Sequence, residues 1–226
     1  MTPAQKAKLP NLYPTMPAPT PSTRPRATRD QWLRAARPIW KRERPGKEFP
    51  AAVIVASPGY YRDSMGKPGV NDRGINDDAF AIIAPDLFVT FNGNTDPSIY
   101  RPEVATLKPG QVIDYRIGQH AIGKKTQHEA LRQASPVIVR RDNLIKPSGY
   151  VHRTRGISLG DGFWTDAGYP QSFWINLHRQ TGGTSSLGCL TIPAAQWIAF
   201  LTTAKEAMRR AGLRLISVIL LEGPVS

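Results

Sequence analysis

Apolar and polar positions change period several times along this chain, and each change marks an element. Gln31 to Arg44 carries Trp32, Leu33, Ala36, Ile39 and Trp40 on one helical side and arginines on the other. That spacing predicts an amphipathic helix with Asp30 as N-cap and with Pro38 kinking or ending it. Phe49 to Ser57, FPAAVIVAS, is a short unbroken apolar run stopped by Pro58-Gly59, which predicts a buried strand. Ala79 to Ala84 and Leu87 to Phe91, separated by Pro85-Asp86, predict a hairpin. After the turn Lys108-Pro109-Gly110, residues Gln111 to Gly118 alternate, with Val112, Asp114 and Arg116 opposed to Ile113, Tyr115 and Ile117. A polar loop through Thr126 and a strand Pro136 to Arg140 come next. Phe173 to Leu177 alternates again, sending Phe173, Ile175 and Leu177 to one face and Trp174, Asn176 and His178 to the other. Beyond Cys189, the residues Trp197, Leu201, Ala204 and Met208 recur at helical spacing. Thr191 as cap and Pro193 in the first turn predict where that helix starts, and Ala211-Gly212 where it stops. Leu213 to Leu221, LRLISVILL, predicts a last strand. The sum is a mainly β chain with a few helices.

Length changes this picture little, since 226 residues fit one good-sized core. Residues 1–29 are rich in Pro, Thr, Ala and basic side chains and hold little that forms a core, so they predict an arm or linker ahead of a single domain over 30–226. Charge changes it more. Thirty Lys and Arg against 17 Asp and Glu give a net charge of +13, a balance suited to polyanionic surroundings such as nucleic acid, phospholipid or an anionic envelope polymer. No apolar run approaches the roughly 18 residues of a membrane span, and the first residues lack the charged-then-apolar order of a secretory signal. The expectation is therefore a product made in the cytoplasm.

The chemistry concentrates in Phe173 to Pro193, FWINLHRQTGGTSSLGCLTIP. Cys189 is the one cysteine of the chain, which rules out an internal disulfide and a Cys-based zinc cluster. It follows Ser186-Leu187-Gly188, a small-residue setting in which backbone N–H groups can approach an oxyanion, since Gly188 tolerates conformations other residues avoid. His178 stands at a strand end across a Gly/Thr/Ser loop. A thiol with an ordinary pKa of ~8.5 is only a few per cent thiolate at neutral pH, so a nucleophilic cysteine needs such a base. Asp161, Asp166, Asn176 and a backbone carbonyl are the candidates to orient the imidazole. A lone buried Cys or a lone His is commonly a plain structural residue. Joined by this loop they favour a site, whereas His120, His128 and His152 carry no such signal.

A histidine ending a strand, a short loop and Ser-x-Gly-Cys followed by an apolar residue resemble the signature of the L,D-transpeptidase (YkuD-like) catalytic domain. The resemblance is carried by about the final quarter of the chain. It implies an L,D-transpeptidase-like β-sandwich with a helix after the cysteine turn. It also implies Cys189 as nucleophile and His178 as base, with Ser186 and Gly188 beside them and no cofactor or metal. Substrate would be held by Trp174, Asn176, Arg179, Leu187 and Thr191. The family's usual Gly after the histidine, His before Gly-Cys and Arg or Asn two residues past the cysteine are replaced by Arg179, Leu187 and Thr191, which bears on substrate and acceptor choice.

The implied reaction is cleavage or exchange of stem-peptide or cross-link bonds in peptidoglycan through a thioester, with an anionic envelope surface as a further partner. A protein made without a signal then acts at the wall or in the periplasm after release, as a phage endolysin peptidase does. Two other readings stand beside it. A zinc wall peptidase would need His and Asp ligands at recurring spacing, and the four His form no His-x-His or His-Glu-x-x-His. A basic phage structural or nucleic-acid-binding protein would suit the charge, but no zinc-finger, RRM or KH pattern supports specific nucleic-acid recognition.

Overall fold

The computed structural model describes residues 27–65, 69, 75–97, 104–142, 157–158, 164–165, 175–181 and 188–226. Residues 1–26, Asp161, Asp166, Trp174, Ser186 and Leu187 lie outside them.

The long apolar runs become strands because both of their faces are covered. β1 (Val53–Ser57) pairs antiparallel with β2 (Asp78–Ala84), which pairs with β3 (Leu87–Gly93) across the expected Pro85-Asp86 turn. Alternate residues then part: Ile54, Ala56, Phe80 and Ile82 enter one core, and Val53, Val55, Ala79, Ala81 and Ile83 enter another. Two-sided burial is why these segments read as continuous apolar runs rather than as alternating ones. The final strand (Ile216–Leu220, β12 in chain order) lies parallel to β1 and antiparallel to β5 (Gln111–His120). β5 turns into β6 (His128–Gln133), and the sheet continues through β10 (Leu177–Arg179) to β11 (Leu190–Ile192).

The order of this eight-stranded mixed sheet is β11-β10-β6-β5-β12-β1-β2-β3. Its ends meet. Asn94, just past β3, exchanges both backbone hydrogen bonds with Thr191 of β11, at 2.8 and 3.0 Å, so the sheet is nearly a closed barrel. A smaller antiparallel sheet, β4-β7-β9-β8, is built from Val104–Leu107, Ile138–Asp142, Trp164–Thr165 and Ile157–Ser158, with β4, β7, β8 and β9 numbered in chain order. Ala105, Leu107 and Val139 carry it into the main core. Trp164 and Thr165 pair with Val139 and Ile138 in this sheet.

Each core has its helix. α1 (Arg29–Glu43) lays Trp32, Leu33, Ala36, Ile39 and Trp40 on the Val53/Ala81/Ile83 side of the sheet. Its N-cap is Thr28 rather than Asp30, in a capping box with Gln31, so the folded body takes in Ala27 and Thr28. Pro38 neither ends nor divides this helix, which runs five residues further because Ile39 and Trp40 are packed beneath it. α2 (Ala194–Arg210) fills the other side with Trp197, Phe200, Leu201, Ala204, Ala207 and Met208. Its N-cap is Pro193, without a side-chain cap. Thr191 is held in β11, and the Gln196 side chain ties the helix start to Asn92 instead. The expectation of a mainly β chain with a few helices, one of them directly after the cysteine turn, describes what forms.

Candidate functional site

Strand register brings the two ends of the chemistry-bearing segment side by side. β10 and β11 are parallel, with Leu177 opposite Leu190 and His178 opposite Thr191. Ile175, Leu177, Leu190 and Ile192 all enter the core, so alternation assigns Asn176, His178 and Thr191 to the other face. Cys189, one residue ahead of β11, stands level with Asn176. Leu190 N donates to Asn176 O at 2.9 Å, and the Asn176 backbone N–H donates to the Cys189 sulfur. The thiol thus stands in for a backbone acceptor at the end of the ladder. Gly188 before it has φ +143°, and a Cβ there would lie 2.7 Å from Ala105 O and 2.8 Å from Ile175 Cδ1. Only glycine lets the cysteine turn close against β4.

His178 is 4% exposed. Its Nδ1 lies 2.7 Å from the carbonyl oxygen of Arg179, an acceptor only, so Nδ1 carries the proton and Nε2 holds the free lone pair. Of the candidates to orient this ring, a backbone carbonyl does so. The imidazole stacks on His120, with centroids 3.9 Å apart and an interplanar angle of 12°, and His128 lies at 5.6 Å. His120 and His128 are direct partners in the β5–β6 register. Two histidines that carried no signal in the sequence therefore complete a cluster of three, with Trp197 edge-on to His128. The one available clue was positional: each His flanks the same short polar loop. Asn176 links the cluster to the thiol, since its side-chain amide donates to His120 Nδ1 at 3.0 Å while its backbone serves the sulfur.

The electrostatics keep both groups neutral. Burial first, and then the neighbouring imidazoles, push His178 down to about 3, against a smaller opposing effect of the Arg179 carbonyl. His120 is also lowered, by burial, His128, Arg132 and Lys124 in that order. Burial pushes the Cys189 thiol up to about 11, although the Asn176 N–H favours the thiolate. Proton transfer from this thiol to this imidazole is therefore uphill in the resting site. The resting pair is thiol and imidazole, not thiolate and imidazolium. Among the described residues no hydrogen bond joins His178 to Cys189.

The remaining expected site residues are distributed as follows. Arg179 is half-buried, and its Nε has no hydrogen-bond partner among the described residues. Thr191 is buried and closes the sheet through its backbone, while its hydroxyl accepts from Gln180 Nε2. Trp174, Ser186 and Leu187 fall outside the described residues. Among the described residues no three His, Cys, Asp or Glu side chains are arranged to hold a metal ion, the histidine cluster included, because its rings stack rather than converge. No family model, curated protein or solved structure matches the chain.

Proposed function

We propose that the chain is a cysteine-dependent enzyme of the L,D-transpeptidase kind, acting on stem-peptide or cross-link bonds of peptidoglycan and serving as a phage endolysin peptidase. The observation that carries this reading is the parallel pairing of β10 with β11. It sets the strand bearing His178 beside the turn bearing Cys189, with a backbone N–H already on the sulfur. The finer resemblance of the fold to that family belongs to the same proposal, and it rests on the strand–loop–Gly-Cys–helix sequence of elements around the site.

The neutral resting pair shapes the mechanism. Sulfur attacks the carbonyl carbon as its proton passes to His178 Nε2, so charge forms on the substrate oxygen rather than on an isolated thiolate. Backbone N–H groups around Gly188 and Cys189 are the donors for that oxyanion, each worth about 3 to 4 kcal/mol of barrier. The imidazolium is disfavoured by burial and by the two neighbouring rings. It therefore gives the proton up readily to the departing amine, leaving a thioester and a neutral imidazole. Water then completes hydrolysis, or a second amine completes exchange. A net charge of +13 favours residence at an anionic envelope.

The test is incubation of purified peptidoglycan with the wild type and with Cys189→Ala, followed by mass spectrometry of the released fragments. Shortened stems or lost cross-linked dimers with the wild type alone are expected. New cross-links would mark exchange. Peptidoglycan unchanged by the wild type, or processed equally by Cys189→Ala, would refute the reading.

A further inference from the structure

Arg34, Arg37 and Lys41 stand in one row along the outward side of α1, and all three are exposed. At 1.5 Å of rise per residue the row is about 10 Å long. Like charges three and four residues apart destabilise a helix, and an acidic side chain at the middle position would have stabilised it. Elsewhere in the fold cations are met by carboxylates: Arg44 by Asp114, Lys205 by Glu129, Arg209 and Arg210 by Glu206. Among the described residues no carboxylate pairs with Arg34, Arg37 or Lys41. The row is nevertheless held in place. A capping box fixes the helix start, and near its end Trp40 Nε1 donates to Lys47 O at 3.1 Å and Arg42 Nη2 to Gly110 O at 2.6 Å. The Arg37 guanidinium lies 5.1 Å from the centre of the Phe49 ring. The apolar side of α1, from Trp32 to Trp40, is buried in the core, so the helix has nothing left to insert into hydrocarbon.

We propose that this face of α1 docks the protein on an anionic lipid surface, where Arg34, Arg37 and Lys41 meet lipid phosphates without the helix entering the bilayer. A fixed row of cations with no carboxylate partners is the complement of a phosphate layer. A flat layer fits it better than a nucleic acid does. The row is convex and one residue wide, so on a duplex it reaches about three phosphates, where tight non-specific binders contact about six to ten. Pro38, which carries no donor, is exposed beside Arg37, and the row lacks the Asn and Gln that read base edges. Neither Cys189 nor His178 takes part, so the assignment stands apart from the wall-enzyme reading.

The experiment is co-sedimentation of the full chain, at low salt, with vesicles of phosphatidylcholine alone and of phosphatidylcholine mixed with phosphatidylglycerol. Wild type should bind only the anionic vesicles. Each Lys or Arg near such a surface contributes about fivefold, so Arg34→Gln/Arg37→Gln/Lys41→Gln should bind about a hundredfold more weakly. Arg34→Lys/Arg37→Lys should bind as wild type does, because a phosphate layer reads charge rather than guanidinium geometry. Lys124→Gln/Lys125→Gln/Arg214→Gln removes the same net charge from other exposed positions and should weaken binding less than about tenfold. Equal losses in the two triple variants would overturn the proposal, since net charge alone would then be at work. So would loss of binding in the Lys variant, or no binding of wild type to the anionic vesicles. A double-stranded DNA fragment bound more tightly than the vesicles, and released by the same three Gln substitutions, would overturn it in favour of a nucleic-acid surface. Vesicle binding by a protein that leaves peptidoglycan intact would keep this face and refute the wall enzyme. Peptidoglycan turnover without vesicle binding would do the reverse.

Discussion

Acid should unfold this protein through His178, and the size of the effect follows from where the ring sits. The imidazole is held at about 3 in the folded state by burial and by His120 and His128, against about 6.5 in an unfolded chain. The unfolded chain therefore takes up the proton first. Stability is intact above about pH 6.5 and is lost as the pH falls toward 3, with a slope that reaches ~1.4 kcal/mol per pH unit for one proton. From pH 7 to pH 5 the loss through this residue amounts to about 2 kcal/mol. Urea unfolding followed by tryptophan fluorescence at pH 7, 6 and 5 measures it, with His178→Gln as the comparison. Other buried groups act on both proteins alike. Asp78 is raised by burial and by the nearby Asp96 and Asp77, which stabilises the fold as the pH falls, and His120 is lowered by groups that do not include His178. Their contributions cancel in the difference between the two proteins. That difference should shrink by about 2 kcal/mol from pH 7 to pH 5, because only the wild type pays the protonation penalty. Parallel pH dependences would refute the burial of a neutral His178 and the acid–base scheme built on it.

Two further predictions concern the frame around the site. Trp197, at 2% exposure, stacks on Phe200 and meets His128, so Trp197→Ala should cost about 3 to 5 kcal/mol in urea unfolding; wild-type stability would deny that packing. Gly188→Ala places a Cβ against the Ala105 carbonyl in a backbone region alanine avoids, and should cost about 2 kcal/mol or more; an unchanged melting temperature would mean that the cysteine turn does not pack on β4.

The parts of the fold legible in the sequence are those whose local pattern and tertiary environment agree. FPAAVIVAS and LRLISVILL hold the strands Val53–Ser57 and Ile216–Leu220, which feed both cores while the ends of the runs stay exposed, the 79–91 hairpin has its turn where Pro85-Asp86 stands, and α2 keeps one apolar stripe against one core. Elsewhere tertiary pairing overrides the local signal. HEALRQ carries several helix-favouring residues, yet pairing with β5 from Tyr115 to His120 makes it β6. Pro38 is tolerated in α1 because the residues that follow it are buried. The Cys189 turn and His178 strand were legible as residues, but the partners that set their ionisation were not. His120 and His128 meet His178 only through the β5–β6–β10 register.

The seam of the sheet and the candidate site coincide, and this gives the neutral resting pair a structural context. β10 and β11 have three residues each, β10 meets β6 at a single pair, and β11 meets the β3 end through a single bridge. Side chains supplement this thin ladder. Asp78 accepts from Gly59 N and Thr95 N at 2.5 Å and from the Thr95 hydroxyl at 2.6 Å, Gln196 exchanges hydrogen bonds with Asn92, and Gln180 reaches Asn76. The strands that carry most of the hydrophobic core, β1, β2, β5 and β12, lie away from the seam and are braced by long ladders. Adjustments between His178 and Cys189 therefore act on short ladders, although Leu177, Leu190 and Ile192 of the same strands enter the core. The half-buried Cys189 thiol and the buried His178 imidazole need such an adjustment to exchange a proton, because the transfer stays uphill until a substrate carbonyl takes on the developing charge.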